Sequence, residues 1–452
     1  MKKDIYRVFS SNMIKMVVTF LSAFIVPMVL SVVSYGYLKS YQFYASYIGI
    51  THLGFCDGIY LFYGGKNERS LSKKDISVQW SSLLLYEVVI ATIFILFGIL
   101  GKNLIVICVG ATIVPNVIFT FYSYIFQAVG DFTNYTLIIN IYSVINMLIN
   151  LILVLLKVRD YRIYMILYVF IETVPFFVGT YLFAKKDWVT FTKFNPKIFK
   201  KFIKAGILLM IGNFAYSIFI GIDKWFIKFT LPIKDFSMFS FASQMLTVVN
   251  MFITPIAMTL YSNISKRQDH YFEIQIKKVL VCILMVIPLT IYALEFVIYN
   301  FMTRYIQAIS ITSILLITQI FLSLNVAVFV NLYKAYKKQK EYFIRLMASL
   351  IVAIVIDIII VFIKPNTMSF AFSTMISCFI WLLLNLKYFP YMQPEKKEKV
   401  YVFGLLLIYL LTLYVDNIFF KLVIYLLSYL LMTKQLMSEQ WKYFTKYVKR
   451  YL

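Results

Sequence analysis

The sequence predicts an all-α integral membrane protein of about 14 transmembrane helices, grouped as six, six and two. Three observations predict it. First, 62% of the 452 residues are hydrophobic and only 14% charged, and a bilayer core of ~30 Å takes about 20 apolar residues as helix. Second, fourteen stretches of spanning or near-spanning length are joined by loops too short to fold alone, which leaves no room for a soluble domain. Third, the formal charge of +24 sorts by side. With Met1 cytoplasmic, that side collects clusters such as Lys66, Arg69, Lys73 and Lys74, whereas the other holds single residues such as Lys39, Lys102 and Lys364. Such an excess is a topology signal. It places both termini in the cytoplasm, requires an even number of spans and does not call for nucleic acid. Weak attraction to anionic membrane lipid is a by-product.

The first six spans are read at 10–34, 41–63, 79–100, 103–127, 134–156 and 162–184, forming an N-terminal lobe over 1–184. The first lacks a small-residue cleavage site, so it is expected to stay as a helix. The segment 185–204 carries Pro196 and the densest positive charge between helices, and reads as a basic cytoplasmic linker. A second six follow at 205–229, 237–261, 279–301, 307–331, 346–363 and 367–387, a lobe over 205–388. Two further helices lie within 389–433, near 400–415 and 418–433, before a basic tail over 434–452. Cys56, Cys108, Cys282 and Cys378 fall singly inside spans, which suits small buried residues better than disulfides or zinc.

The halves echo one another. Tyr44-Ala45-Ser46 is matched by Phe241-Ala242-Ser243, and Ala128 with Tyr135 by Ala335 with Tyr342 at the same separation. These echoes are short, and chance similarity stands beside a true repeat. A six-helix repeat preserves orientation, so the halves would be parallel repeats about an axis along the membrane normal, as in many transporters.

Polar residues inside spans should face a neighbour or a water-filled cavity. Ser11, Lys15, Thr19 and Ser22 fall on one stripe of the first span at helical spacing. Asn213, Ser217, Gly221, Lys224 and Lys228 repeat this on the seventh, and Ser243, Thr247, Asn250 and Thr254 share a face of the eighth. The second carries Tyr47, Thr51, Gly54 and Gly58, with Asp57 alongside. For the hydroxyl and amide positions, interhelical packing is the competing reading. Lysine is costlier, at ~2.5 to 3.5 kcal/mol in mid-helix on insertion scales. Lys15 and Lys228 lie near span ends and either snorkel or line a cavity; Lys224 lies deeper, beside Asp223. Lysines sharing a cavity would suit phosphate.

The buried acids are Glu87, Glu172, Asp223, Glu295 and Asp357. An acid in lipid takes a proton or a cation. Asp357 sits in Val-Ile-Asp-Ile-Ile-Ile with no basic neighbour in sequence, which fits either a permanently protonated or paired acid or a coupling-ion ligand. Pro27, Pro115, Pro175, Pro255 and Pro288 permit kinks.

The 6 + 6 + 2 grouping resembles the polysaccharide transport family, the O-antigen and capsular-polysaccharide repeat-unit flippases of the multidrug/oligosaccharidyl-lipid/polysaccharide exporter superfamily. Leu53-Gly54-Phe55-Cys56-Asp57-Gly58 is similar to that family's glycine-rich second helix, and Gly221-Ile222-Asp223-Lys224-Trp225-Phe226-Ile227 to its acidic-basic pair. Gln127-Ala128 with Tyr135 resembles its turn after the fourth helix. The resemblance implies two pseudo-symmetric six-helix lobes in a V-shaped, MATE-like fold. It also implies a polyprenyl-diphosphate-linked oligosaccharide as cargo, moved from the inner to the outer leaflet of a bacterial cytoplasmic membrane, in company with other polysaccharide-assembly membrane proteins. Lys15, Lys224 and Lys228 would hold the diphosphate, and the polar residues of helices 1, 2, 7 and 8 the sugars. Asp223 and Asp357, with Ser373 or Thr374, would match a cation site known between helices 7, 11 and 12 of related lipid II flippases. Ala353, a turn before Asp357, departs from that site by offering no side-chain oxygen, so H+ and Na+ both stay open as coupling ions.

No cofactor is implied. A membrane polymerase or ligase would need a sizeable external loop, and the outer loops stay within about ten residues. A cation-coupled drug or metabolite antiporter of the same superfamily would share the fold but should have an acid-rich, aromatic cavity without lysine.

Overall fold

The computed structural model describes residues 2–267 and 269–442, and every described regular element is helical. The far end of the expected basic tail, from 443 onward, lies outside the described residues. The chain forms two compact units, Met1–Phe214 and Ala215–Leu452.

The first unit holds α1 (Lys2–Val29), α2 (Val32–Ala45), α3 (Phe55–Tyr63), α4 (Lys73–Leu100), α5 (Leu104–Ala128), α6 (Phe132–Leu155) and α7 (Tyr161–Ala184). It also holds the start of α8 (Pro196–Thr230), which continues into the second unit. That helix starts inside the stretch read as a linker, Pro196 supplying the fixed φ that suits a first helical position. Within this unit α4 packs on α5, α1 on α6, and α5 on α7. Polar side chains close the helix ends: Ser72, Asn103, Asp131 and Asp160 accept hydrogen bonds from first-turn amides of α4 to α7.

The second unit contains the rest of α8, then α9 (Ile233–Arg267), α10 (His270–Leu284), α11 (Thr290–Phe301), α12 (Gln307–Leu324) and α13 (Val330–Ala335). These are followed by α14 (Gln339–Ile363), α15 (Thr367–Tyr388), α16 (Lys396–Thr412) and α17 (Ile418–Leu436). A π-helical turn at Asn325–Phe329 joins α12 to α13 without a break in the helix. This rod packs against α9 and α15 and is buried almost all round, the expected place for a helix apolar on every face.

Two span boundaries differ from the sequence reading. The first span ends at Val29 rather than near 34, because Ser31 caps a new helix by accepting from Ser34 N–H at 3.1 Å. The second span is not one helix from 41 to 63. It breaks between Ala45 and Phe55, through a left-handed Gly54 (φ +83°), a conformation glycine adopts without a Cβ clash.

Among the described residues, eleven helices are long and apolar enough to cross a membrane. The other three stretches read as spans fall short for separate reasons. The second is broken, α9 is long but polar, and α16 has 17 residues. All four cysteines are buried and free.

Candidate functional site

In the second unit, α8, α14 and α15 bring together Asp223, Asp357, Ser373 and Thr374. Thr374 donates its hydroxyl to Asp223 Oδ2 at 2.7 Å. Asp357 interacts side chain to side chain with Asp223 and Ser373. Both aspartates and Ser373 are buried. Even so, Asp223 Oδ1, both Asp357 oxygens and Ser373 Oγ lack a well-formed hydrogen bond among the described residues. Buried oxygens in this condition are costly unless something binds them. The centre therefore has unsatisfied acceptors directed at one another, an arrangement that can hold a proton or a small cation.

Lys224 follows Asp223 on α8 and is half-buried, within electrostatic reach of that carboxylate. Lys228, a turn further, is half-buried with its ammonium 5.0 Å from the centre of the Phe236 ring, a cation–π distance. Ser217 and Asn213 are exposed on the same helix. On α9, the hydroxyls of Ser243 and Thr247 bond to backbone carbonyls one turn back, those of Phe239 and Ser243. Asn250 instead exchanges amide hydrogen bonds with Gln319 on α12, at 2.6 and 3.2 Å.

In the first unit Lys15 is exposed on α1, within electrostatic reach of Glu172 on α7. Glu172 accepts from Tyr142 at 2.9 Å and from Asn116 at 3.4 Å. Thr19 bonds to the Lys15 carbonyl, and Ser22 accepts from Asn150, which Tyr168 also engages. Ser11 is buried. Thr51 bonds to the Ile48 carbonyl in the break of the second span. Asp57 is buried just past that break, 4.0 Å from His52 Nδ1, a nitrogen that accepts from Gly54 N–H. Glu87 on α4 is fully buried; it interacts with the Thr51 side chain, but neither of its oxygens has a well-formed hydrogen bond among the described residues.

The glycines of the second span have a packing role. A Cβ on Gly58 would fall on the Phe202 carbonyl, and one on Gly206 on the Gly54 carbonyl. Backbone of α3 thus meets backbone of α8 with no side chain between, and Phe55 stacks on Phe199 at 5.1 Å beside the contact.

Of the polar groups that join α16 and α17 to the rest of their unit, sequence reasoning singled out only Glu295, as a buried acid, and not its partner. Lys421 pairs with Glu295, and Lys277 with Glu398, each at 2.9 Å between buried side chains. Tyr425 and Tyr429 donate to the carbonyls of Met285 and Cys282. Lys277, lying near the end of its span, was legible only as a topology signal, and Lys421, inside the last span, was not singled out. Tyrosines are too frequent in this chain for any one to stand out. Nor did the reading mark Asn325 and Asn385, which bond to each other at 2.8 Å beside the π turn, although amides within apolar runs were there to be noticed.

These elements define a multi-pass membrane protein with the fold shared by transporters of the MOP superfamily. The solved lipid II flippase MurJ, in an inward closed conformation, superposes with a TM-score of 0.67 at 18% identity, covering 96% of this chain and 98% of that one. A multidrug-resistance MATE family transporter of the MOP superfamily, inward-facing, gives 0.55 at 13% identity, covering 86% and 98%. No curated protein sequence matches. The profile of the polysaccharide biosynthesis protein family matches residues 1–268, and the chain belongs to that family.

Proposed function

We propose that the protein is a flippase. It carries a polyprenyl-diphosphate-linked oligosaccharide repeat unit from the inner to the outer leaflet of the bacterial cytoplasmic membrane, by alternating access, for O-antigen, capsule or exopolysaccharide assembly. The observation that carries this reading is the family match over 1–268 on a chain with the MOP transporter fold. A polysaccharide-biosynthesis protein built almost wholly of membrane helices has translocation as its natural task, and the charged centre inside the helices supplies the chemistry. Its work on this reading is transport rather than catalysis.

Lys224, with Lys15 and Lys228, binds the diphosphate, since ammonium groups bind phosphate as strong point charges. Polar residues of α1, of the broken second span (Thr51 and Asp57), and of α8 and α9 meet the sugars, while the polyprenyl tail stays in lipid. Asp223 and Asp357, with Ser373 and Thr374, take up the coupling H+ or Na+. Both termini are cytoplasmic, following the sorting of basic residues.

The test is translocation of a fluorescent polyprenyl-diphosphate oligosaccharide across proteoliposomes by wild type and Lys224→Ala. Transport by wild type, lost in the variant at equal abundance and partly kept by Lys224→Arg, supports the reading. A well-folded wild type that moves no such lipid favours a cation-coupled drug or metabolite antiporter.

A further inference from the structure

Within the second unit, a cavity of about 190 Å³ opens between α10, α12, α15 and α16. Its wall is mostly hydrocarbon and aromatic, from Phe321, Phe329, Phe379, Leu383, Val402 and Phe403. Leu383 and Phe403 are about half exposed, so the opening lies on a lateral, lipid-facing surface rather than in the helix core. One end is polar and carries Lys277, Gln393, Glu398 and Lys399. Of these charges, Lys277 and Glu398 satisfy each other, and Lys277 also donates to the Met392 carbonyl at 3.0 Å. Lys399 is exposed, with Lys396 and Lys397 exposed just before it in the first turn of α16.

The two ends of this cavity ask for different chemistry. An apolar void on a lipid-facing surface offers water no partners and gives up dispersion contacts while empty, and the surrounding bilayer supplies hydrocarbon to fill it. At the polar end an internally neutral Lys277–Glu398 pair leaves the Lys396, Lys397 and Lys399 cluster as net positive charge. Each such residue near a membrane surface draws anionic headgroups. The basic residues that set the topology put this end at the cytoplasmic face.

We infer that the cavity is a site for a resident phospholipid of the cytoplasmic leaflet, with one acyl chain between α15 and α16 and an anionic headgroup on Lys399. Such a lipid fills the seam between α15 and α16 and makes the protein's stability depend on anionic lipid. This goes beyond the flippase reading, because the occupant is a bilayer lipid and not the cargo.

The test uses the purified full chain, delipidated in detergent, and then offered phosphatidylglycerol, phosphatidylcholine of the same acyl chains, or a polyprenyl phosphate. Bound lipid is counted by native mass spectrometry and stability read by thermal unfolding. Phosphatidylglycerol is expected to be retained and to raise the unfolding temperature, with phosphatidylcholine much less effective. Lys399→Glu is expected to weaken retention about fivefold or more, the factor for one basic residue at an anionic surface. Leu383→Trp, which fills the cavity from its exposed rim, is expected to abolish retention while unfolding at the wild-type temperature in lipid-free detergent. Equal binding of both phospholipids, undiminished retention by the two variants, or binding of polyprenyl phosphate in place of phosphatidylglycerol would each overturn the inference.

Discussion

The ammonium of Lys421 lies 2.9 Å from a carboxylate oxygen of Glu295, with 8% and 3% of their side-chain surfaces exposed. The pair ties α17 to α11, and Lys277 with Glu398 ties α10 to α16 in the same way. Neither of the last two helices is merely appended to its unit. Removing one partner of a buried ion pair strands the other charge, at a cost of about 3–5 kcal/mol. Lys421→Met is therefore expected to lower the thermal stability of the purified protein sharply, and adding Glu295→Gln to recover most of the loss. Unfolding followed by tryptophan fluorescence would measure both, and a double variant no more stable than the single would show that a stranded Glu295 charge is not the source of the loss.

Asp223→Asn and Asp357→Asn are each expected to cut gradient-driven transport at least tenfold with normal abundance, and Thr374→Val to cut it less, since it removes one hydrogen bond of the centre. Comparing imposed proton and sodium gradients in proteoliposomes identifies the ion. Full transport by both asparagine variants would remove the aspartate pair from the coupling machinery.

Gly58→Ala and Gly206→Ala are expected to lower the yield of folded protein, because each new methyl group would meet main-chain atoms that cannot turn aside. Overpacking of this kind costs about 1–3 kcal/mol or more. Gly212→Ala on the same α8 is the control, having open space around its Cβ position. Size-exclusion profiles of the three variants test the contact between α3 and α8.

At the ends of the first unit's helices, Lys186 donates to Glu68 at 2.5 Å and to Asp131 at 2.8 Å. Burial pushes the Asp131 carboxyl up, but hydrogen bonds from Lys186 and Asn134 outweigh it and hold the group below its ordinary value. Burial likewise pushes Lys186 down, and its two carboxylate partners more than reverse that, raising it above its ordinary value. The stability Asp131 contributes is present above the ordinary aspartate value of ~3.9 and is lost as pH falls through its lower folded-state value. That of Lys186 is complete below the ordinary lysine value of ~10.4 and is lost as pH rises through its higher folded-state value. Unfolding temperature is thus expected to be flat with respect to this cluster between those limits. Asp131→Asn should lower the plateau and soften the acid limb, and an acid limb of unchanged steepness would assign the pH dependence to other carboxylates.

Much of the fold was legible because hydrophobic run length is a local property. The runs ending near Leu100, Ala128, Leu155 and Ala184 appear as α4 to α7 with small shifts at their ends. The break in the second span was less legible. Gly54 and Gly58 were visible as part of a polar face, but that Gly54 lies against the backbone of Gly206, some 150 residues away, is a tertiary contact that no local pattern reveals. The acidic centre was legible as separate residues. Asp223, Asp357, Ser373 and Thr374 each stand out as polar groups within apolar runs, yet nothing in their spacing shows that they meet.

By itself the sequence determined that this chain lives in a membrane as a set of helices, where most of them begin and end, and that basic residues cluster in alternate loops. Those properties follow from transfer free energies and charge counts, which sum residue by residue. Tertiary structure alone decided which acids share a centre, which lysines are neutralised by a partner and which glycines carry a backbone contact. Each of these depends on two helices presenting the right faces to each other, and so on packing between residues that the chain holds far apart.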